Sequence, residues 1–317
     1  MVCYIYVGET LTMPLAASRI RFISVCLCVA LLASACRGEN APEQTAIPTL
    51  AESGGETSQA PTPFPEPQNA AEFFARGKAA YEQGDLPAAL ADFNAAIELD
   101  SSQAEYLHQR GIVYFVSGNY EFALADFTGA VGLNPTNSEF IFWRGRTYSY
   151  TGRPVEAIAD YDVAIRLNAT NAEYFFWRGA AYAFQQQQDP AIADFNRAIA
   201  LDSTNANYYH WRGNAYAFSG NVDQALADQT NAIALSGTDP EHFYARGLAF
   251  AAKGDPISAT ADFTQAIILN GERSEFYLAR GLAYKMAGNS EAARADLQRA
   301  AEMGNTDAAS ELAALGS

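Results

Sequence analysis

Residues 137–170 read NSEFIFWRGRTYSYTGRPVEAIADYDVAIRLNAT. The stretch opens on Asn137-Ser138-Glu139, an N-cap followed by an acid in the first helical turn, where negative charge complements the helix dipole. Phe140, Ile141, Trp143, Tyr148 and Tyr150 populate that helix, and Gly152 ends it in a turn. Pro154 opens a second helix, at a position where its missing N–H removes no hydrogen bond. Ala157, Ile158, Tyr161, Ala164, Ile165 and Leu167 then recur at spacings of three and four, which gives that helix an apolar face. Two helices joined by a tight turn are the expected unit.

The same unit recurs on both sides. Arg-Gly pairs begin at Arg76, Arg110, Arg144, Arg178, Arg212, Arg246 and Arg280, always 34 residues apart. Measured from each glycine, an alanine follows 12 residues later (Ala89, Ala123, Ala157, Ala191, Ala225, Ala259, Ala293) and another after 19 (Ala96, Ala130, Ala164, Ala198, Ala232, Ala266, Ala300). Between them stands a bulky residue, Phe93, Phe127, Tyr161, Phe195, Phe263 or Leu297, with Gln229 the exception. Pro87, Pro190 and Pro256 mark similar second-helix starts, and Gln186 replaces the turn glycine in the fourth repeat. A fixed period of this size means stacked supersecondary units. Every repeat also has an Asp 16 residues after its Arg: Asp92, Asp126, Asp160, Asp194, Asp228, Asp262 and Asp296. A pair repeated in all seven units, the end ones included, predicts a structural Arg–carboxylate ladder, for which a planar guanidinium suits better than an ammonium.

This pattern of small residue, tyrosine (Tyr114, Tyr148, Tyr182, Tyr216, Tyr284), turn glycine, alanine, aromatic and alanine resembles the tetratricopeptide repeat. The resemblance covers residues 70–307. It implies an all-α, right-handed superhelical solenoid of about seven 34-residue helix–turn–helix repeats. Residues 308–317 are expected to form a short C-terminal capping helix, and residues 291–315 drift towards the related Sel1-like pattern. The proline that usually closes the second helix survives only as Pro135. The family holds peptides or partner helices on a concave surface lined by first helices, and it carries no chemistry of its own. A non-enzymatic scaffold or adaptor is the function this implies.

The N-terminal end carries an address. Residues 13–36, MPLAASRIRFISVCLCVALLASAC, place Arg19 and Arg21 before an apolar run from Phe22 to Leu32, too short to span a bilayer and suited to a secretory signal. Residues 1–35 are therefore expected to be a signal peptide, with translation starting at Met13. Leu32-Ala33-Ser34-Ala35-Cys36 resembles the lipobox of bacterial lipoproteins, which implies a lipidated Cys36 as the membrane anchor. An ordinary soluble secretory signal ending beside a cysteine is the alternative. Residues 36–69, with Pro42, Pro48, Pro61, Pro63, Pro65 and Pro67 among Ser, Thr and Glu, cannot bury a core and are expected to be a disordered linker. As a coil it would span roughly 30–35 Å.

Composition narrows the function. The 317 residues hold 36 acids against 20 Lys and Arg, a net charge of −16, which argues against nucleic acid because phosphate neutralisation needs clustered cations. The cysteines Cys3, Cys26, Cys28 and Cys36 leave nothing after residue 36 for a disulfide or thiolate site. His108, His210 and His242 are the only histidines, and no catalytic set, metal site or cofactor motif is evident. The partners expected are cell-envelope proteins, with the membrane reached through the lipid.

Aromatic residues suggest where a partner would sit. At the first-helix sites that line the groove in this family stand Phe142, Trp143 and Tyr150 in the third repeat. The fourth has Phe176, Trp177 and Phe184, and the fifth His210, Trp211 and Phe218. Other repeats have Ala75, Gln109, Ala245 and Ala279 in place of the tryptophans. A packing requirement would recur in all seven, so the cluster reads as a binding hot spot; packing against the neighbouring helix is the competing account. A rival function uses Trp143, Trp177 and Trp211 as stacking platforms of a glycan- or wall-binding module. Glu105, Glu139, Glu173, Glu241 and Glu275 recur at helix starts, serving the dipole or an acidic groove edge. Lys78, Arg146 and Asn214 stand in alternate repeats, with Ile112 and Ala180 between, so the family's carboxylate clamp is not assembled.

Overall fold

The computed structural model describes residues 67–316. The expected signal peptide, the Met13 start, Cys36 and all but the last three residues of the linker lie outside the described residues.

Among the described residues there are fifteen helices and no strand. The first four repeats are the pairs α1 (Ala70–Glu82) and α2 (Leu86–Leu99), α3 (Ala104–Val116) and α4 (Tyr120–Leu133), α5 (Ser138–Tyr150) and α6 (Pro154–Leu167), and α7 (Ala172–Phe184) and α8 (Gln188–Leu201). The remaining three are α9 (Ala206–Phe218) and α10 (Val222–Leu235), α11 (Pro240–Lys253) and α12 (Pro256–Leu269), and α13 (Ser274–Met286) and α14 (Ser290–Glu302), followed by α15 (Thr306–Leu315). The chain divides into two compact bodies. One ends at Ser219 and includes Ala234–Ser236; the other takes Gly220–Ile233 and Gly237 onwards. Each is a stack of helix pairs, and α9 and α10 of the fifth repeat fall in different bodies.

Local chemistry sets the helix ends as the spacing predicts. Asn137 Oδ1 accepts from the Glu139 N–H at 2.9 Å, and Asn171 repeats this with Glu173 at 2.9 Å. Pro154 and Pro256 open their helices, whereas Pro190 lies two residues inside α8, which starts at Gln188. Gly152 has φ 72°, and the next residue, Arg153, donates its N–H back to Tyr148 O at 2.9 Å, closing the turn between α5 and α6. Gln186 copies this at φ 61°, with Gln187 N–H on Tyr182 O at 2.9 Å.

The core is built where the periodic small residues let helices approach. Tyr161, Phe127 and Phe195 are fully buried against the Arg-Gly glycines. A Cβ on Gly145 would lie 2.9 Å from Tyr161 Cε1, closer than carbon atoms tolerate, so only glycine lets the ring seat there. In the C-terminal body Phe263 and Leu297 take the same role against Gly247 and Gly281, and α15 covers Leu297 and Ala300 with Ala308, Leu312 and Leu315.

Six arginine–aspartate pairs form the ladder. Arg178 is typical, with Nε on Asp194 Oδ2 at 2.8 Å and Nη2 on Oδ1 at 2.7 Å. The same fork joins Arg76 to Asp92, Arg110 to Asp126, Arg144 to Asp160, Arg246 to Asp262 and Arg280 to Asp296. Arg212 and Asp228, the seventh predicted pair, belong to different bodies. Several arginines also reach back one repeat, a contact beyond the predicted ladder. Arg110, Arg178 and Arg212 donate Nη1 to Asn94, Asp162 and Asn196, each at 2.7 Å, and Arg280 to Thr264 at 3.1 Å. The ladder thus joins a first helix to its own second helix and to the one before it.

Candidate functional site

All nine groove candidates lie on α5, α7 and α9 of the N-terminal body, but they differ in what they touch. Phe142 and Phe176 are buried, 3% and 4% exposed. Phe142 meets Tyr174 of the next repeat at a 4.7 Å ring separation and Phe176 meets Tyr208 at 5.0 Å. Phe74 with Tyr106, His108 with Phe140, and Tyr244 with Phe276 make the same step at 4.6, 4.7 and 4.9 Å. This register is therefore a packing position between repeats, in which phenylalanine, histidine and tyrosine substitute for one another. The aromatic step holds first helices together and contributes through burial and edge-tilted ring geometry.

The tryptophans form a different layer. Trp143 is half-buried, stacked on Phe127 at 5.9 Å and edge-on to Phe115 at 5.4 Å. Trp177 is buried against Phe176 and Tyr150, at 5.7 and 6.1 Å. Trp211, half-buried, touches Phe176, Phe195 and Phe184 at 6.1, 6.4 and 5.8 Å. Phe184 is exposed at 38%, while Tyr150, His210 and Phe218 are half-buried. His210 Nε2 lies 3.0 Å from the Asn214 amide one turn on. The outer edge of the layer is thus Phe184 on Trp211, with Tyr150 beside Trp177.

Arg146, which the sequence places in no assembled clamp, completes the arrangement. Its guanidinium carbon lies 4.5 Å from the Trp143 ring and 4.5 Å from the Trp177 ring, with Phe115 at 5.3 Å and Phe142 at 5.8 Å. The residue is 8% exposed, and its buried Nε has no acceptor. Burial lifts the Tyr150 phenol above its ordinary range, while the Arg146 charge acts in the opposite direction. The available signal was its place: Arg146 follows Trp143 by three residues, hence on the same helical face, and Trp177 is the equivalent tryptophan one repeat on.

Beside this layer is a cavity of about 410 Å³ lined by Asn137, Ser138, Glu139, Phe142, Trp143, Asn168, Asn171, Glu173 and Tyr174. Ser138 Oγ and Tyr174 Oη, 3.1 Å apart, bridge its two first helices. Glu139 and Glu173 are exposed at its mouth. In the C-terminal body the equivalent acids are engaged, since Arg273 reaches Glu241 at 3.1 Å and Glu275 at 3.3 Å. An unpaired acidic edge therefore belongs to the third and fourth repeats, next to the tryptophans.

Comparison with known proteins places this geometry in a family. Models described as TPR repeat match residues 77–118 and 181–220, and models described as tetratricopeptide repeat match residues 206–239 and 244–308. None of the curated proteins compared matches the chain. Among solved structures, a tetratricopeptide repeat protein from Parabacteroides merdae is 21% identical, with 78% of this chain and 98% of that one covered and a TM-score of 0.60. PilW, a type IV pilus biogenesis factor, is 19% identical over 68% of this chain and 98% of its own, at a TM-score of 0.61. A chain of the Cut9–Hcn1 complex is 15% identical over 78% of this chain and 52% of its own, at 0.62. At these identities the likeness concerns the fold.

Proposed function

This chain is a tetratricopeptide-repeat protein, and from that premise we propose that it is a membrane-anchored, extracytoplasmic adaptor. It holds an envelope protein by a peptide or helix laid across the first helices of the third to fifth repeats. The observation that carries this reading is the tryptophan layer. Trp143, Trp177 and Trp211 stand where the other repeats have alanine or glutamine, so no general packing rule requires them. Their outer edge ends in the exposed ring of Phe184. A large aromatic ring beside half-buried aromatics is the usual composition of a binding hot spot. Anchoring rests on the lipobox-like residues before Cys36; two or more acyl chains would hold the protein firmly at the membrane, which one would not.

The glycan reading has less behind it. Sugar stacking needs an open indole face, and Arg146 lies over both Trp143 and Trp177.

Capture of partners from detergent-solubilised envelopes tests the adaptor. Phe184→Ala should leave the fold intact, because the ring is exposed, and should lose a protein that wild type retains. Cys36→Ser should abolish acyl labelling and release the chain from membranes. Unchanged partners in the first case, or continued labelling in the second, would remove the corresponding half of the reading.

A further inference from the structure

We propose that the pocket between the third and fourth repeats takes an arginine side chain of the partner, its guanidinium bridging Glu139 and Glu173 over the Tyr174 ring. The inference rests on the adaptor reading and names the partner chemistry at that site. The chain itself carries an occupied form of this pocket. Three repeats on, at the registers of Glu139, Asn171, Glu173 and Tyr174, stand Glu241, Arg273, Glu275 and Phe276. There Arg273 donates Nη1 to Glu241 at 3.1 Å and Nε to Glu275 at 3.3 Å, with its guanidinium carbon 5.4 Å from the Phe276 ring.

The floor is built alike in both places. Phe142 meets Tyr174 at 4.7 Å, and Tyr244 meets Phe276 at 4.9 Å. What differs is the cation. Asn171 stands in place of the arginine and turns to its own helix, where its Oδ1 accepts the Glu173 N–H at 2.9 Å. Glu139, Asn171, Glu173 and Tyr174 accordingly line an open cavity of about 410 Å³. Among the described residues no basic side chain lies within 4.0 Å of the Glu139 or Glu173 carboxylate.

The other first-helix acids do not offer this pair. Glu105 is held by Gln109 Nε2 at 2.9 Å and lies 3.8 Å from His108 Nδ1, and the register after Glu173 holds Asn207. Burial lifts the Tyr174 phenol above its ordinary range, and the charges of Glu139 and Glu173 both push the same way, so both fields meet at that ring. A cation above it answers both acids at once. A guanidinium lies flat on the ring and directs separate N–H groups to the two carboxylates, which an ammonium does less well. Such charge-assisted bonds are among the stronger ones.

The test selects displayed random dodecapeptides on the full chain in detergent, with wild type beside Asn171→Arg. The variant puts an arginine where Arg273 stands, and α13 starts after that arginine with no side-chain cap, so a helix tolerates the change. Wild type should enrich peptides bearing arginine, and replacing that arginine by citrulline, its uncharged isostere, should weaken binding by ~10-fold to ~100-fold. Asn171→Arg fills the pocket from within and should bind the arginine peptide no better than wild type binds the citrulline form. In Glu139→Gln combined with Glu173→Gln, both exposed, the two forms should bind about equally; this variant decides if Asn171→Arg does not fold. Peptides selected without arginine preference, or an arginine peptide bound equally by wild type and Asn171→Arg, would overturn the proposal and leave groove binding standing. A lysine form as tight as the arginine form would overturn the guanidinium bridge. Absence of any bound peptide would overturn both readings. N-acetylargininamide binding as tightly as the peptide would show a small-molecule site instead.

Discussion

Gln186 holds a backbone conformation, φ 61°, that the other internal turns give to glycine. A side chain in this left-handed region costs roughly 1–2 kcal/mol, set against the greater chain entropy that glycine loses on folding. Gln186→Gly should therefore stabilise the fourth repeat by about 0.5–1 kcal/mol, read as a higher urea midpoint; a lower midpoint would mean that the glutamine side chain makes a compensating contact. Arg146 is the complementary case. Lys78 and Asn214, which hold its site in alternate repeats, do not assemble a clamp with it, and only the fold shows that two tryptophans a repeat apart close on its guanidinium. A single residue can be named from sequence when its role is local, as at the turn. Arg146 draws its meaning from three helices, α3, α5 and α7.

At the scale of elements, the ladder turns paired helices into stacks. Arg178 spans Asp194 within its repeat and Asp162 on α6. Removing it by Arg178→Leu leaves Asp194, its side chain only 8% exposed, without a counter-charge. The expected cost is about 3 kcal/mol, and Arg178→Leu combined with Asp194→Leu should recover much of it, because the penalty is the stranded charge. Thermal unfolding of the two variants makes the comparison. Equal losses would assign the effect to packing of the arginine stem. The Arg–Asp pairing was legible because both partners lie in one repeat at fixed spacing. The third bond, to Asn94, Asp162, Asn196 or Thr264, was not, since it depends on how one repeat lies on the previous one and varies in residue type. The same variation hid the packing role of Phe142 and Phe176. Phenylalanine, histidine and tyrosine share that register, so the two rings looked confined to the middle repeats, although five of the steps between consecutive repeats carry an aromatic pair there.

Across the whole molecule, an acidic chain with few lysines holds a buried arginine, Arg146, amid its tryptophans and an exposed acidic edge beside it. That distribution gives the third to fifth repeats a chemistry the other repeats lack, and it is the central claim. The most direct measurement places a photo-crosslinking p-benzoylphenylalanine at Phe184 in living cells. A control carries it at Phe122, which is 62% exposed and lies on the second helix α4. The account predicts a discrete cross-linked protein from position 184 and none from position 122. No product from position 184, or the same product from both, would contradict it.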